Sequence, residues 1–241
     1  GWRLKNIAGK KKVLLELGGN APAIVHKDAD IKWAAQRVAL GGFMYAGQIC
    51  ISVQRVYVHE EIYEEFKKAL LDATASLKVG NPMEEDVVVG PVINMEACDR
   101  IETWVKVAVN SGAVLLTRKK RMGNLLYPII LENPPEYLPV VNEEIFGPVI
   151  SLFKYKKFEE AIAKANDTKY GLQAGVFTND LKLAFKALDE LDYGGVIIND
   201  YPTFRSDNYP YGGIKNSGLG REGVRFAMEE MSEIKMCVFR V

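Results

Sequence analysis

The sequence predicts an α/β protein: a mostly parallel sheet flanked by helices. Three observations carry this reading. Short apolar runs with strand character alternate, between residues 13 and 198, with longer segments whose apolar residues recur at helical spacing. That alternation is the pattern of a sheet covered by helices on its faces. The composition is globular, 48% hydrophobic and 26% charged over 241 residues, which is enough chain for one large core. No internal repeat, low-complexity tract or flexible linker breaks the pattern.

Residues 2–11 read as the end of a helix with basic residues near its close, where the helix dipole favours them. Val13 to Leu17 is a strand, apolar except at Glu16, and Gly18-Gly19 follow it. Ala23 to Val25 is a short strand. Asp30 to Ala46 is a helix with Ile31, Ala35, Val38 and Tyr45 roughly on one face, stopping at Gly47. Residues 53–58 form a strand. Glu60 to Leu77 is an amphipathic helix, with Ile62, Phe66, Leu70, Ala73 and Leu77 at helical spacing and acids in its first turn. Gly80-Asn81-Pro82 ends it. Gly90-Pro91 turns the chain into a helix that Asn94 can cap and that reaches Asn110. Ala113 to Thr117 and Leu126 to Leu131 are strands around the basic turn Arg118 to Gly123. Val149 to Tyr155 is the next strand, then helix 158–166, strand 173–177, helix 180–191 and strand 195–198. Residues 199–220 form a loop rich in Gly, Pro, Tyr and Asp; loops this long in compact domains tend to be functional. Val224 to Met231 is a short helix. Glu233 to Val241 alternates as a strand and has no sequence neighbour to pair with, so it invites pairing with another chain.

Composition narrows the function. Lys and Arg number 31 and Asp and Glu 31, leaving no global field to draw nucleic acid or an anionic membrane. The cluster Arg118-Lys119-Lys120-Arg121 reads as a solvated tip. No apolar run approaches the roughly 20 residues that span a bilayer, and the first residues lack a signal-peptide pattern. Cys50, Cys98 and Cys237 are too few, and odd in number, for a disulfide framework. The expectation is a soluble, cytoplasmic protein with free thiols. His26 and His59 stand outside any metal-binding spacing, so no metal is expected.

Four places offer chemistry. Cys50 lies in a short helix-to-strand connection, and loops on a rigid scaffold are where catalytic groups concentrate; the bland alternative is a small buried apolar residue. Glu16 interrupts an apolar strand. Against an apolar wall its pKa would rise and suit a general base, whereas at a strand end it would simply face water. The segment Asn142 to Val149 sets two acids, an aromatic and Gly-Pro before a strand. It can hold a carboxylate against sugar hydroxyls and a ring against a flat heterocycle, or be an ordinary turn. Arg205, in the long loop, is either an anion-binding residue or a surface arginine.

Three segments in this order resemble the aldehyde dehydrogenase superfamily: Leu15-Glu16-Leu17-Gly18-Gly19-Asn20-Ala21-Pro22, Gly47-Gln48-Ile49-Cys50, and Glu143-Glu144-Ile145-Phe146-Gly147-Pro148-Val149. Tyr170-Gly171-Leu172, Pro210-Tyr211-Gly212-Gly213-Ile214-Lys215-Asn216-Ser217-Gly218 and Gly220-Arg221-Glu222 extend the likeness over essentially the whole chain. Each motif alone is weak; the ordered set is specific. The resemblance implies NAD(P)-dependent oxidation of an aldehyde to an acid. Cys50 would be the nucleophile, forming a thiohemiacetal and then a thioester. Glu16 would activate the hydrolytic water, and the Cys50 backbone N–H would donate to the oxyanion. Glu144 would bind the nicotinamide ribose of NAD or NADP, with Phe146 packed near the same end. The run Cys50 to Arg55 and the loop Tyr201 to Tyr209 are similar to members acting on small hydroxylated or phosphorylated aldehydes, with Arg205 meeting the anion.

The family's long N-terminal nucleotide-binding region has no counterpart in this sequence. The resemblance therefore implies a catalytic-domain portion: residues 18–216 as the catalytic domain, 1–17 and 217–232 as pieces of the cofactor domain, and 233–241 as an arm between subunits of a homo-oligomer. Such a chain is expected to bind dinucleotide weakly or not at all, since phosphate and adenine sites would be missing. Two other readings stand beside it. One is a cysteine-dependent hydrolase (an esterase) pairing Cys50 with His59 or His26, although His59 lies at the far end of a strand. The other is a non-enzymatic oligomerisation module built on the terminal strand and an exposed apolar face.

Overall fold

The computed structural model describes residues 1–241. Helix α1 (Trp2–Ile7) leads to β1 (Leu15–Glu16) and β2 (Ala21–Val25), and α2 (Ile31–Phe43) leads to β3 (Val53–His59). Helix α3 (Tyr63–Ala75), β4 (Lys78–Val79), β5 (Val87–Val89) and α4 (Met95–Asn110) follow. Next come β6 (Val114–Leu115), β7 (Arg121–Met122), β8 (Leu125–Leu126) and β9 (Ile129–Glu132). The remainder alternates through α5 (Pro139–Asn142), β10 (Val149–Tyr155), α6 (Phe158–Asn166), β11 (Gln173–Phe177), α7 (Leu181–Glu190) and β12 (Gly195–Ile198), and ends with β13 (Gly218–Leu219) and α8 (Val224–Glu230).

Seven strands make the central sheet in the order β12-β11-β2-β3-β10-β9-β6. All pairings are parallel except β6, which runs antiparallel to β9. Every residue of β2, β3 and β11 is buried. Strands covered on both faces take mostly apolar residues at successive positions; β3 departs from this at Gln54 and Arg55, whose buried side chains are hydrogen-bonded. Three of the flanking helices start at side-chain caps: Asp30 accepts from the Trp33 N–H, Asn94 from Ala97 and Asp180 from Lys182 and Leu183. The expected mostly parallel α/β architecture is present. No helix is long and apolar enough to cross a membrane.

Two departures from the sequence reading bear on the site. Helix α2 stops at Phe43, three residues before the expected end, because Tyr45 (φ 51°) and Ala46 (φ 57°) take left-handed backbone and Gly47 (φ 68°) continues it. A side chain at Gly47 would stand 2.2 Å from the Gly147 carbonyl oxygen, so the turn closes tightly against the loop before β10. The loop expected over residues 199–220 is partly ordered: β13 pairs antiparallel with β1, setting Glu16 opposite Gly218, and Tyr211 bridges Glu222. This small ladder lies outside the main sheet.

One expectation is corrected. Residues 233–241 form no strand and are exposed throughout, Ile234, Met236, Val238 and Phe239 included. A lone segment without a sheet edge gains no ladder hydrogen bonds to offset its ordering entropy, so its backbone groups stay with water.

Candidate active site

The turn after α2 delivers Cys50. Gln48 fixes it there: its Nε2 donates to the Tyr45 and Pro91 carbonyls at 3.1 and 3.2 Å, and its Oε1 accepts from the Ile93 N–H at 2.8 Å. Thr203 Oγ1 donates to the carbonyls of Gly41 and Ile51 at 3.1 and 3.0 Å, tying the long loop to the same turn. On the other side a Cβ on Gly19 would stand 2.1 Å from the Cys50 carbonyl oxygen, so only glycine permits this approach. Cys50 is half-buried beside Ile49, Ile51, Leu172 and Tyr211. A cavity of about 270 Å³ opens over it, with Tyr45, Thr203, Arg205 and Tyr211 among its walls.

Three carboxyl or thiol groups share this region. Glu16 arrives on β1, held opposite Gly218, and its Oε1 is buried with no hydrogen-bond partner. Burial pushes its pKa up to about 7; Glu222 adds to the rise, and Arg205 and Arg221 oppose it. Glu144 sits in the loop before β10. Its Oε1 accepts from the Gly19 N–H at 2.8 Å, and its carboxylate occupies the space a side chain on Gly18 would need. Burial raises the Glu144 pKa, with the Gly19 N–H and Arg100 acting against it. Burial also pushes the Cys50 thiol up, the Tyr211 hydrogen bond opposes that, and the charges of Glu144 and Glu16 reinforce it. Cys50, Glu16 and Glu144, from three separate stretches, share a region in which both carboxylate charges bear on the thiol.

Phe146 is left-handed (φ 46°) and exposed, one residue past the buried Ile145. Arg205 is exposed yet committed: it pairs with Glu222 and its guanidinium lies over the Tyr211 ring, 4.3 Å from the centroid. It still faces the cavity over Cys50.

The histidine pairing fails on geometry. His59 ends β3, whose first residue follows Cys50 by three, so about 20 Å of strand at about 3.3 Å per residue separates them. His26 packs edge-on against His59 and bonds Tyr155 through Nδ1, at the same remote end. No three of His, Cys, Asp and Glu converge as a metal centre would require. A separate polar cleft of about 500 Å³ lies beside Arg55 and Glu143, but its lysines are already paired, Lys164 with Glu136 and Lys169 with Glu143.

Sequence reasoning assigned no role to several residues that build the site. The buried Gln54 donates to the Gly19 carbonyl at 3.2 Å and accepts from the Ile145 N–H at 3.0 Å, clamping both strips that hold Glu144. Asn20 Nδ2 donates to the carbonyls of Val141 and Glu143, while its Oδ1 accepts from the buried Arg55 at 2.6 Å. Asn20 stands in the Leu15-to-Pro22 motif and Gln54 and Arg55 in the run Cys50 to Arg55, but nothing local in the sequence shows which groups they bond. Tyr211, 3.1 Å from the sulfur, did carry a signal, standing within the glycine-rich stretch Pro210 to Gly213. The spacing Gly218-Leu219-Gly220-Arg221-Glu222-Gly223 before α8 resembles a dinucleotide fingerprint. Here it joins a two-residue antiparallel strand to a seven-residue helix, and a side chain on Gly223 would meet the Tyr209 carbonyl at 2.9 Å. Its glycines serve local packing.

The sequence pattern described as the aldehyde dehydrogenase family matches residues 1–237. The 3-sulfolactaldehyde dehydrogenase of Priestia aryabhattai is 46% identical over 241 residues, all of this chain and 50% of that one. Among solved structures, aldehyde dehydrogenase 21 of Physcomitrella patens, in complex with the reaction product succinate, superposes with a TM-score of 0.96 at 50% identity; the match covers 100% of this chain and 50% of that one. The glyceraldehyde-3-phosphate dehydrogenase GapN of Methanocaldococcus jannaschii, complexed with NADP, gives 0.93 at 45% identity, over 97% of this chain and 51% of that one. The chain spans about half the length of the curated relatives it matches.

Proposed function

Since the chain belongs to the aldehyde dehydrogenase family, we propose that a whole protein containing it oxidises an aldehyde to a carboxylic acid with NAD or NADP, through Cys50 as nucleophile and Glu16 as base, and that the 241 residues alone lack this dehydrogenase activity. The observation that carries the reading is a half-buried thiol in the same region as a carboxylate whose buried oxygen has no partner and whose pKa is pushed up to about 7. A base with that pKa is half-ionised near neutrality, where proton transfer from water is best matched.

The Cys50 thiolate adds its lone pair to the aldehyde carbon, and the carbonyl π electrons move to oxygen, where the Cys50 backbone N–H donates to the oxyanion. Sulfur suits this task because the adduct keeps the aldehyde hydrogen and the later thioester hydrolyses readily. A nicotinamide, when bound, would supply the acceptor for that hydrogen as hydride. Glu16 then takes a proton from water, and the hydroxide equivalent attacks the thioester carbon and frees the thiolate. The residues fit the nicotinamide end of the cofactor. Glu144 has a backbone donor on one oxygen only, leaving lone pairs for ribose hydroxyls, and the Phe146 ring stands exposed beside it. Arg205 on the cavity wall suits an aldehyde with a negative group, which agrees with relatives whose names or ligands carry sulfonate, phosphate or carboxylate.

We propose residues 18–216 as the catalytic domain. The β1–β13 ladder, standing apart from the main sheet, supports grouping residues 1–17 with 217–232 in a cofactor-binding part. The exposed apolar side chains of 233–241 support an arm that pairs with a second copy. Free thiols suit a reducing cytoplasm.

Incubating the chain with an activated ester and mapping the product by peptide mass tests the reading. The acyl group is expected on Cys50, and acylation at Cys237 or a serine in its place overturns it. With only the nicotinamide-ribose end provided for, calorimetric titration of this 241-residue chain with NAD is expected to show no micromolar binding. A micromolar Kd would refute that expectation.

A further inference from the structure

We propose that Tyr211 is a catalytic residue whose phenolic hydroxyl donates a hydrogen bond to the sulfur of Cys50 and holds it as the thiolate that attacks. The proposal rests on the reading of Cys50 as the nucleophile and adds a residue to it.

The geometry is specific. The Tyr211 oxygen lies 3.1 Å from Sγ, and Cys50 is the one partner the protein offers that hydroxyl. The ring is buried, packed with Ile51 and Leu172. Its backbone is fastened on both sides: the Tyr211 N–H donates to the Glu222 carbonyl at 3.0 Å, and the Glu222 N–H donates back at 2.7 Å. The hydroxyl is therefore aimed at the sulfur by a rigid frame.

The surroundings of Cys50 explain the need for a donor. Burial and the charges of Glu144 and Glu16 all oppose a negative sulfur. The Tyr211 hydroxyl is the side chain that offsets them. A thiolate can only accept, so once the thiol proton has left to solvent the phenol must be the donor. Burial, contact with Cys50 and the Glu16 charge keep the phenol protonated well above the usual tyrosine range, so it remains a donor wherever the thiolate forms. Arg205 lies on the ring face, 4.3 Å from the centroid. A cation there withdraws electron density from the ring and strengthens the O–H as a donor, which makes Arg205 a positioning residue for this bond. In the attack itself the sulfur lone pair forms the C–S bond and the carbonyl pair moves to oxygen; the tyrosine keeps its proton throughout.

The test is the pH dependence of Cys50 alkylation by iodoacetamide, followed by peptide mass in chains carrying Cys237→Ser, so that the exposed thiol does not compete. Tyr211→Phe removes only the oxygen. A hydrogen bond to a charged group corresponds to about one to two pH units. The alkylation midpoint is expected to rise by about that much, with alkylation at neutral pH falling about tenfold or more and the plateau at high pH retained. A packing defect would change the plateau and leave the midpoint in place. An unmoved or lowered midpoint overturns the proposal. Ring-fluorinated tyrosine at position 211, a stronger donor of nearly the same shape, is expected to lower the midpoint; no shift, or a rise, overturns the proposal even if the Phe variant does not fold. Failure of the underlying reading shows elsewhere, as ester turnover that survives Cys50→Ala.

Discussion

Cys50→Ala is expected to abolish ester turnover by this chain, a loss of at least about a thousandfold. The expectation is large because one atom serves both halves of the reaction: sulfur accepts the acyl group and sulfur leaves when water arrives. Nothing nearby can replace it. Cys98 is buried in α4 and Cys237 lies in the exposed tail. The substitution should leave the fold intact, because the turn at Cys50 is fixed through other groups. Gln48 bonds Tyr45, Pro91 and Ile93, and the Cys50 carbonyl, which alanine keeps, rests against Gly19. Removing one half-buried sulfur costs about 1 kcal/mol of stability, the size of an ordinary point mutation. Initial rates with an activated ester, read alongside thermal unfolding, separate the two effects. Undiminished turnover in a folded variant would remove Cys50 from the chemistry.

The sequence made the sheet legible because burial on both faces writes itself as apolar runs, as in Ala23 to Val25 and Ala174 to Phe177. It made Cys50, Glu16 and Glu144 legible because each breaks its local pattern: a thiol in a turn, an acid in an apolar strand, an acid before Phe-Gly-Pro. What it hid was long-range pairing. Tyr211 meets Cys50 across 161 positions and Gln54 meets Ile145 across 91. No periodicity reports a contact that only the folded chain creates. The end of α2 was hidden for a related reason. Tyr45 and Ala46 are ordinary helix residues, and their left-handed backbone is set by Gly47 closing onto Gly147. The tail 233–241 shows the converse. Its alternation is a real strand propensity, but strand geometry needs a pairing partner, and the segment lies on neither edge of the sheet, β12 or β6.

Glu16→Gln is expected to separate the two half-reactions. Acylation of Cys50 proceeds, since the thiolate does not need a base in that step, while hydrolysis of the acyl-enzyme slows by about a hundredfold to ten-thousandfold, the span of general-base contributions. The observable is a burst of one acyl group per chain followed by near-arrest, with the acyl-Cys50 species accumulating in the mass spectrum. The wild-type chain should show the same arrest on acidification. Glu16 works only when ionised, and burial raises its pKa to about 7, so deacylation should climb with pH through about 7 and then level off. The same shift fixes the sign of the stability change. Between its unfolded pKa and about 7 the folded chain holds a proton on Glu16 that the unfolded chain has lost, so this contribution to stability is present at low pH and fades as pH rises. Glutamine has no proton to lose. The variant's melting temperature should therefore fall less steeply than the wild type's across that window, and an arrest measured above neutrality belongs to the lost base rather than to unfolding. Rapid, pH-independent deacylation in Glu16→Gln would assign the activation of water to another group.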